Sequence, residues 1–290
     1  MKALAILLFA FVCYMACRMY FWSQISFLEK PLRLEDVPKP PRLRVGFMNV
    51  KLLPFVWRKA YRVAHRGVLS HPMDVLVLQE VWDFVAYKVV RKLCKRLYPF
   101  VLSSTQVPDM QSSGLMVLSR FPIRFHTFLP FNLNMFPEIL MRKGVLHFSV
   151  QGVSVVTSHL PFDHQHPHLH YRDDALDVLR RVVTPLRAFL LMGDFNTRWN
   201  SAMYKQLKDT VGLTEDMNVF PHAPVTAYGG NTIDYIFNKG YQVSHPQVVD
   251  LMSDDTSDHN GLSCVVHTET PTNAAAVPVA HRRIPETEHQ

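Results

Sequence analysis

FLLMGDFN, residues 189–196, is an apolar run that ends in an acid and an amide. The four apolar residues Phe189 to Met192 are typical of a short strand that is buried on both faces. Asp194 and Asn196 follow directly after that run. The stretch therefore predicts a buried strand that carries polar side chains to one edge of a sheet.

The same arrangement recurs along the chain. An alternating apolar pattern over residues 43–48 ends at Asn49, and the apolar run Val75 to Leu78 ends in Gln79-Glu80. Further strands are predicted over residues 115–118, 145–150, 153–157, 233–237 and 262–266, and helices over residues 57–69, 84–97, 172–183 and 201–211. Many strands with interspersed helices predict an α/β fold in which two packed sheets are flanked by helices.

Length and composition predict one globular domain with tails. The chain has 290 residues, of which 48% are apolar and 19% charged, and this balance excludes a disordered or fibrous protein. We place the catalytic domain at residues 42–267, after a proline-rich linker over residues 24–41. Residues 268–290 lack an apolar period and are predicted to form a disordered tail.

The first residues predict a targeting segment. Residues 3–17 are apolar between Lys2 and Arg18, and an aromatic cluster follows at residues 20–22. Residues 1–23 are therefore expected to be a signal anchor or a signal peptide, and the lack of small residues at a cleavage site favours the uncleaved anchor. A membrane-associated protein, or one in the secretory pathway, is the expected localisation. The topology stays open.

Charge and cysteine content leave several partners open. The formal net charge of +7 at pH 7 attracts nucleic acid or an anionic membrane, although a solvated basic surface explains it equally well. No protein partner can be inferred. Of the four cysteines, Cys94 and Cys264 fall in the predicted domain, so no disulfide framework is implied, and a single bridge between them stays open.

Polar residues that follow strands make up a candidate catalytic set. Its members are Asn49, Glu80, His159, Asp194, Asn196, Asp234, Asp258 and His259. Each residue alone has an ordinary structural explanation, such as a turn or a charged helix start. Together they suit one reaction, because Glu80 and Asn49 offer oxygen ligands to Mg²⁺. Hydrolysis of a phosphodiester also needs a base and a group that stabilises the phosphoryl oxygens, and His259 and His159 are the candidates.

These residues stand in blocks whose order resembles that of the endonuclease/exonuclease/phosphatase (DNase I-like) superfamily. The blocks are Asn49, Gln79-Glu80, Ser113-Gly114-Leu115, Leu118-Ser119-Arg120, Ser158-His159-Leu160, Gly193-Asp194-Phe195-Asn196, Ile233-Asp234-Tyr235-Ile236 and Ser257-Asp258-His259. The resemblance covers residues 42–267. It implies a four-layered α/β sandwich and a metal-dependent phosphoric diester hydrolase.

The resemblance also implies the metal ligands. Glu80 and Asn49 would hold Mg²⁺, with Mn²⁺ as the alternative ion, and Asp258 would lie beside the metal. Whether the site takes one ion or two stays open.

The remaining roles implied by the resemblance concern catalysis. His259 would be the general base, and Asp234 would orient it. Asp194 and Asn196 would position the attacking water or a phosphate oxygen. His159 would stabilise the phosphoryl oxygens as charge develops on them.

Two features favour a lipid phosphodiester as substrate. The block Met141-Arg142-Lys143-Gly144 resembles the Lys-Gly stretch of neutral sphingomyelinases, which makes Lys143 a candidate substrate-binding residue. The apolar stretch Phe128 to Pro137 lacks a clean period, so that Phe131 either enters an interface and binds substrate or is buried in a core. We therefore favour a sphingomyelinase-like phospholipase C that acts on a phospholipid. The alternatives are a DNase I-like endonuclease that binds nucleic acid and, more remotely, an inactive membrane-bound scaffold.

Alternate histidines mark one further segment. His164, His166, His168 and His170 raise the hypothesis of a separate zinc site, and solvated or substrate-contacting histidines explain the same pattern. The role of this loop stays open on the sequence alone.

Overall fold

Eleven β-strands and four α-helices are bounded within the residues that this computed structural model describes, which are residues 40–53, 57–103, 112–132, 141–162, 171–253 and 256–268 with residues 9, 11 and 13. The strands are β1 (Arg42–Leu52), β2 (Val75–Val81), β3 (Phe100–Ser103), β4 (Met116–Ser119), β5 (Ile123–Pro130), β6 (Gly144–Val150), β7 (Val153–Ser158), β8 (Phe189–Asp194), β9 (Asp234–Lys239), β10 (Gln242–Val249) and β11 (Gly261–His267). The helices are α1 (Trp57–Arg62), α2 (Phe84–Cys94), α3 (Tyr171–Val183) and α4 (Ala202–Val211).

The strands form two mixed sheets. One sheet has the order β10-β11-β1-β2-β4-β3, and the other has the order β5-β6-β7-β8-β9. β1 and β2 are parallel, as are β7 and β8, whereas the other neighbouring strands are antiparallel. Because parallel strands end at the same edge of a sheet, the polar residues that follow each parallel pair are brought together.

Alternation along the strands places one core between the sheets and one on each outer face. In β8, Leu190 and Met192 belong to the core between the sheets, whereas Phe189 and Leu191 pack with α3 and α4. Residues of α1 and α2 cover the outer face of the six-stranded sheet. The layers are therefore helices, sheet, sheet and helices, and the expected four-layered α/β sandwich is confirmed. The apolar run of β8 is continuous because this strand is buried on both faces.

Side-chain caps fix the starts of two helices. Asp83 accepts a hydrogen bond of 2.8 Å from the Ala86 backbone N–H at the start of α2. Ser201 accepts one of 3.1 Å from the Tyr204 N–H at the start of α4. Both residue types are preferred at this position because their side chains satisfy a helix N–H that has no partner within the helix. The cap by Asp83 also fixes the short connection between Glu80 and the start of α2.

The structure differs from the sequence prediction in three strands and one helix, and it settles one question that the sequence left open. β3, β5 and β10 are strands that the apolar pattern does not predict. The helix predicted over residues 57–69 is α-helical to Arg62 and continues as a π-helix over Val63–Leu69. Cys94 and Cys264 lie in separate cores and are both free, so the bridge that was left open is not formed.

The expected localisation, membrane-associated or secretory, is corrected by one finding. Among the described residues, no helix is both long enough and apolar enough to span a bilayer. Most of the segment 1–23 lies outside the described residues, as do most of the linker 24–41 and all of the tail 268–290 except its first residue. The boundaries of the predicted catalytic domain at residues 42 and 267 stay a prediction.

Candidate active site

Side chains from both sheets converge at one edge of the sandwich, where they surround an open cleft. The cleft measures about 230 Å³ and is lined by Glu80, Trp82, Met141, Lys143, His159, Phe162, Asp194, Asn196 and His259. The six-stranded sheet contributes Glu80 from β2, and the loop after β7 in the other sheet contributes His159. Residues that are far apart in the sequence therefore share one site.

Asn49 links the acidic residues of the two sheets. Its Nδ2 donates to Glu80 Oε1 at 2.9 Å and to Asp194 Oδ2 at 3.1 Å. Glu80 has a φ of 61°, in the left-handed region that is strained for a residue with a Cβ. Such strain is concentrated at functional sites, because it persists where the surrounding structure fixes a side chain in place.

Two overlapping groups of side chains have the chemistry of metal ligands. Glu80, His159 and Asp194 form one group, and Asp194, Asp234 and His259 form the other; within each group the ligand atoms lie within 4.8 Å of one another. Asp194 belongs to both groups and is buried. The Asp194 carboxylate is therefore the centre of the site.

His259 is held by a buried carboxylate. Its Nδ1 lies 2.9 Å from Asp234 Oδ2, and its Nε2 lies 3.8 Å from Asp194 Oδ2. Burial alone would lower the pKa of His259, but the charge and hydrogen bond of Asp234 outweigh it and raise that pKa to about 10. Burial raises the pKa of Asp194 to about 6, with the charge of Asp234 as the next contribution. In the protein without a bound cation, His259 is therefore an imidazolium at neutral pH.

His159, unlike His259, is an uncharged ring. Its Nε2 lies 3.7 Å from Asp194 Oδ2, and the residue is 5% exposed. Burial lowers the pKa of His159 well below its usual value, and the positive charges of Lys143 and His259 lower it further. The ring lies beside Trp82, with 6.4 Å between the ring centroids. His159 is therefore a neutral imidazole at the wall of the cleft.

Asn196 positions Asp194 from the loop after β8. Its backbone N–H donates to Asp194 Oδ1 at 2.8 Å, and its side-chain Nδ2 donates to the Leu160 carbonyl at 2.8 Å. The φ of Asn196 is 48°, a left-handed conformation that asparagine tolerates better than most residues. These bonds tie the loop after β8 to the loop that carries His159.

Asp258 is not brought into either ligand group among the residues that the structure describes. Its Oδ2 instead lies 2.5 Å from Lys51 Nζ. The neighbouring Ser257 holds this loop against β1, because its hydroxyl donates to the Asn49 carbonyl at 2.6 Å. Asp258 thus pairs with Lys51 in this structure, and its expected placement beside a metal stays a prediction.

The two candidate substrate-binding residues have different positions. Lys143 is 4% exposed and lines the cleft next to His159. Phe131 is 7% exposed and packs in the core that contains Val145 and Leu160. Phe131 is therefore buried in a core, as the second alternative expects, and its assignment as a substrate contact stays a prediction. Residues 133–140 and the histidine loop 163–170 lie outside the described residues.

Gln79 is a buried residue that the sequence indicated only as part of a block. Its Oε1 accepts from the Asp194 N–H at 2.9 Å, and its Nε2 donates to the Ser158 carbonyl at 2.9 Å and to Thr157 Oγ1 at 3.2 Å. It therefore joins the two sheets beneath the site. Gly193 makes this approach possible, because a Cβ there would lie 2.0 Å from the Ser158 carbonyl oxygen. The signal in the sequence that could have identified Gln79 is a polar residue directly after the apolar run of β2.

The fold and the site define a class of hydrolases that act on phosphate esters. The Endonuclease/Exonuclease/phosphatase family profile matches residues 57–259, and the chain belongs to this family. Comparison with curated protein sequences finds no significant match. Family membership thus assigns the type of chemistry and leaves the substrate open.

Several solved structures share the fold at low sequence identity. Sphingomyelinase C from Streptomyces griseocarneus is 18% identical, with 78% of this chain and 99% of that chain covered and a TM-score of 0.59. A variant of the beta toxin from Staphylococcus aureus with bound magnesium ions is 14% identical, with 77% and 98% covered and a TM-score of 0.60. The 3′ phosphatase NExo from Neisseria, bound to a product DNA hairpin, is 18% identical, with 77% and 98% covered and a TM-score of 0.57.

Proposed function

We propose that this protein is a divalent-metal-dependent phosphodiesterase that hydrolyses a choline phospholipid, in the manner of a sphingomyelinase-like phospholipase C. The observation that carries the proposal is the meeting of two groups in one cleft. A ligand group of Glu80, His159 and Asp194 lies next to His259, which is backed by Asp234. The first group suits a cation and the second suits proton transfer.

The donor set of the chain fits a hard divalent cation such as Mg²⁺. Two carboxylates, Glu80 and Asp194, point at the same Asn49 amide group. When the Asn49 side-chain amide is flipped, its oxygen takes the place of its nitrogen. Three oxygen atoms that can ligate a metal then face one another. Mg²⁺ prefers such oxygens and keeps several waters. When bound, the ion supplies Lewis-acid polarisation of the phosphoryl oxygens and lowers the pKa of a neighbouring water.

His259 is proposed as the general base. Its Nδ1 is engaged by Asp234, so its Nε2 is the nitrogen that faces Asp194 and the cleft. Base catalysis requires Nε2 to be unprotonated, and a positive charge bound near Asp194 would offset the carboxylates that now hold the proton. Nε2 then accepts a proton from the attacking water, and Asp234 stabilises the imidazolium that forms.

His159 is proposed to stabilise the phosphoryl group. A neutral imidazole has one N–H to donate and brings no net charge that must be desolvated. Its burial beside Trp82 excludes water, which strengthens a hydrogen bond to a developing negative charge. Lys143, buried in the same cleft, adds a positive charge close to His159.

The lining of the cleft supports a lipid head group as substrate. Met141 and Phe162 lie at the cleft, and Phe162 is 50% exposed. The cleft thus combines apolar and aromatic side chains with the phosphate-directed residues Lys143 and His159. An aromatic face attracts a quaternary ammonium group through its quadrupole, which suits choline.

A nuclease activity is the second candidate. The net charge of +7 would attract a polyphosphate backbone, and one structure that shares the fold is bound to DNA. A choline phospholipid and DNA therefore have to be compared directly as substrates.

In the deciding experiment the protein is incubated in parallel with sphingomyelin in detergent micelles, with lysophospholipids and with plasmid DNA. Each reaction contains either Mg²⁺ or EDTA. Release of phosphocholine with Mg²⁺, and none with EDTA, is expected. The His259→Asn variant should abolish that release, whereas His245→Asn, an exposed residue on the edge strand β10, should not. Cleavage of DNA with choline lipids left intact would replace the lipid assignment by the nuclease.

A further inference from the structure

The helical layer over the six-stranded sheet is basic throughout. It consists of residues 57–69, which form α1 and the π-helix, and residues 84–96, which form α2 and the start of the turn after it. This basic layer contains nine lysines and arginines and no aspartate or glutamate, whereas the whole chain has 31 basic and 24 acidic residues. The positive net charge of the chain is therefore carried by this layer. Its basic residues are Arg58, Lys59, Arg62, Arg66, Lys88, Arg91, Lys92, Lys95 and Arg96.

The helical layer on the opposite side of the sandwich has a mixed charge. α3 and α4 contain both signs, and Asp177 of α3 pairs with Arg180 at 2.6 Å and with Arg181 at 3.1 Å. Lys208 of α4 pairs with Glu215 in the same way. The uniformly basic character therefore belongs to one helical layer and not to both.

Helix stability does not account for the composition of the basic layer. Arg58 and Arg62 are four residues apart in α1, as are Lys88 and Lys92 in α2. Like charges at this spacing destabilise a helix, whereas opposite charges stabilise it, as Asp177 does in α3. The basic layer thus has a charge pattern that the fold does not require, and a bound polyanion would relieve the repulsion.

The basic side chains form two rows that face solvent. Arg58, Arg62 and Arg66 are exposed along α1 and the π-helix, and Lys88 and Lys92 are exposed along α2. α2 packs against both α1 and the π-helix, so the two rows lie side by side. Because β1 and β2 are parallel, the helical connection between them returns along the outer face of the sheet, away from the edge that holds the cleft. The basic layer is therefore a surface separate from the catalytic cleft.

An exposed aromatic side chain lies among the arginines. Tyr61 is 52% exposed, and its ring centroid is 4.4 Å from that of His65, which is also exposed. Surfaces that bind single-stranded nucleic acid combine positive charge along the phosphates with aromatic rings on which bases stack. The row of α1 has both elements, since Tyr61 directly precedes Arg62 in the chain.

The composition of the basic layer favours nucleic acid over an anionic membrane. The apolar faces of its helices are buried against the sheet. Among the residues of the layer whose side chains the structure describes, only Tyr61 and Val85 expose a large apolar side chain. Helices that bind a bilayer insert an apolar face, which this layer does not offer. Five of its nine basic residues are arginines, whose planar guanidinium groups bind phosphate through paired hydrogen bonds.

We propose that the basic layer binds single-stranded nucleic acid, with its arginines and lysines on the phosphates and Tyr61 stacked on a base. The binding is independent of base sequence, because neither charge nor stacking reads the edges of the bases. The inference goes beyond the proposed function and does not depend on it, since the binding needs neither a metal ion nor hydrolysis.

The test compares two variants that lose the same charge from opposite layers. Binding of a fluorescently labelled single strand of about 16 nucleotides is measured by anisotropy in EDTA. The layer variant replaces three exposed residues of the basic layer, by Arg66→Gln, Lys92→Gln and Arg96→Gln. The control variant replaces three exposed residues of the opposite layer, by Arg180→Gln, Arg181→Gln and Lys205→Gln.

The two variants should differ in affinity although their net charges are equal. We expect Kd to rise by at least about tenfold in the layer variant and by less than about threefold in the control variant. The slope of log Kd against log salt should also fall by about two in the layer variant alone, because three phosphate contacts are lost. Thermal unfolding verifies that both variants are folded, and Arg62→Gln with Lys88→Gln is measured in the same way if the layer variant is not.

A second pair of variants tests the aromatic contact. Tyr61→Ala should raise Kd by at least about fivefold, because a stacked base loses its ring. Val85→Ala, which shortens the other exposed apolar side chain of the basic layer, should leave Kd unchanged. An unchanged Kd in Tyr61→Ala would overturn the stacking role of Tyr61.

The remaining outcomes decide the binding surface. No binding to the wild type at about 50 mM salt, or equal losses in the layer and control variants, would overturn the proposal. Binding to vesicles of phosphatidylserine and phosphatidylcholine, with none to the oligonucleotide, would also overturn it and identify an anionic membrane as the partner. Phosphocholine release is measured separately, so that a failure of the proposed function leaves the binding result intact.

Discussion

His259 and Asp234 are joined by a hydrogen bond of 2.9 Å between Nδ1 and Oδ2, and both residues are buried. A carboxylate on Nδ1 fixes the orientation of the ring and the tautomer that it adopts when neutral. Nε2 then faces Asp194 at 3.8 Å. The pair therefore has the arrangement that proton transfer to or from a water in the cleft requires.

Replacement of Asp234 by asparagine should slow the reaction. The amide cannot stabilise the imidazolium, and it favours the wrong tautomer of His259, so we expect kcat to fall by about 10²- to 10⁴-fold with a smaller change in KM. Steady-state hydrolysis of sphingomyelin micelles measures both constants. Asp250→Asn, at an exposed position after β10, is the matched control and should leave kcat unchanged. A kcat for Asp234→Asn within about threefold of the wild type would remove His259 from the role of base.

The two histidines of the site should differ in charge when no divalent ion is bound. At pH 7 His259 should carry protons on both ring nitrogens, because its pKa is raised to about 10, chiefly by Asp234 acting against burial. His159 should be neutral, because burial lowers its pKa well below 6.5. Nitrogen chemical shifts of the imidazoles in EDTA-treated protein distinguish the two states, with His159→Asn and His259→Asn used for assignment. The same charge state on both rings would contradict this account.

These pKa values also predict how stability depends on pH. Asp194 has a pKa raised from 3.8 to about 6 by burial, so its contribution is full below pH 3.8 and is lost as the pH rises through about 6. His259 has a pKa raised from 6.5 to about 10, so its contribution is full below pH 6.5 and is lost as the pH rises through about 10. The free energy of unfolding of the EDTA-treated protein, measured in urea, should therefore fall between pH 6.5 and 10.

A matched pair of variants isolates that effect. His259→Gln should flatten the dependence above pH 6.5, whereas His245→Gln, which is exposed on β10, should keep it. An equal slope in His259→Gln and the wild type would assign the dependence to other groups.

The sequence predicted the interior strands and the edge strand β9, in which apolar residues are buried, and it missed the other three edge strands. β3, β5 and β10 each occupy an edge, where a strand has a neighbour on one side only. In β10 most residues are exposed or half-buried, so the apolar signal is weak. The order of the polar blocks placed His159, Asp194 and the other strand-end residues together, because strand ends share an edge.

Features that depend on contacts between distant segments were not predictable from local pattern. The pairing of Lys51 with Asp258 depends on a bulge in one strand and a loop more than 200 residues later. Phe131 follows an apolar segment whose pattern is the same for a core strand and for an exposed loop. Phe131 is buried, and burial is a property of the whole fold that this local pattern does not contain.

Gln79→Leu should weaken both the fold and the site. The substitution leaves the Asp194 N–H and the Ser158 carbonyl buried without the partner that Gln79 provides, and each such group costs roughly 1–3 kcal/mol. Urea unfolding in the presence of EDTA should show a loss of that order. Gln206→Leu, on the exposed face of α4, should change the free energy of unfolding by less than about 0.5 kcal/mol. Equal stability of the Gln79 variant and the wild type would mean that the two sheets are held by packing without this bridge.

Glu80→Gln should abolish stabilisation by Mg²⁺. An ion that binds the folded protein raises stability by about 2.7 kcal/mol at a hundredfold excess over its dissociation constant, and this gain depends on the carboxylate next to Asn49. The Tm of the wild type should therefore rise with added Mg²⁺ and fall back with EDTA, whereas the Tm of Glu80→Gln should respond to neither. Glu215→Gln, an exposed residue distant in sequence from the site, should respond like the wild type. A normal response in Glu80→Gln would place the ion elsewhere, because glutamine keeps the size of the side chain and removes the charge that a divalent cation requires.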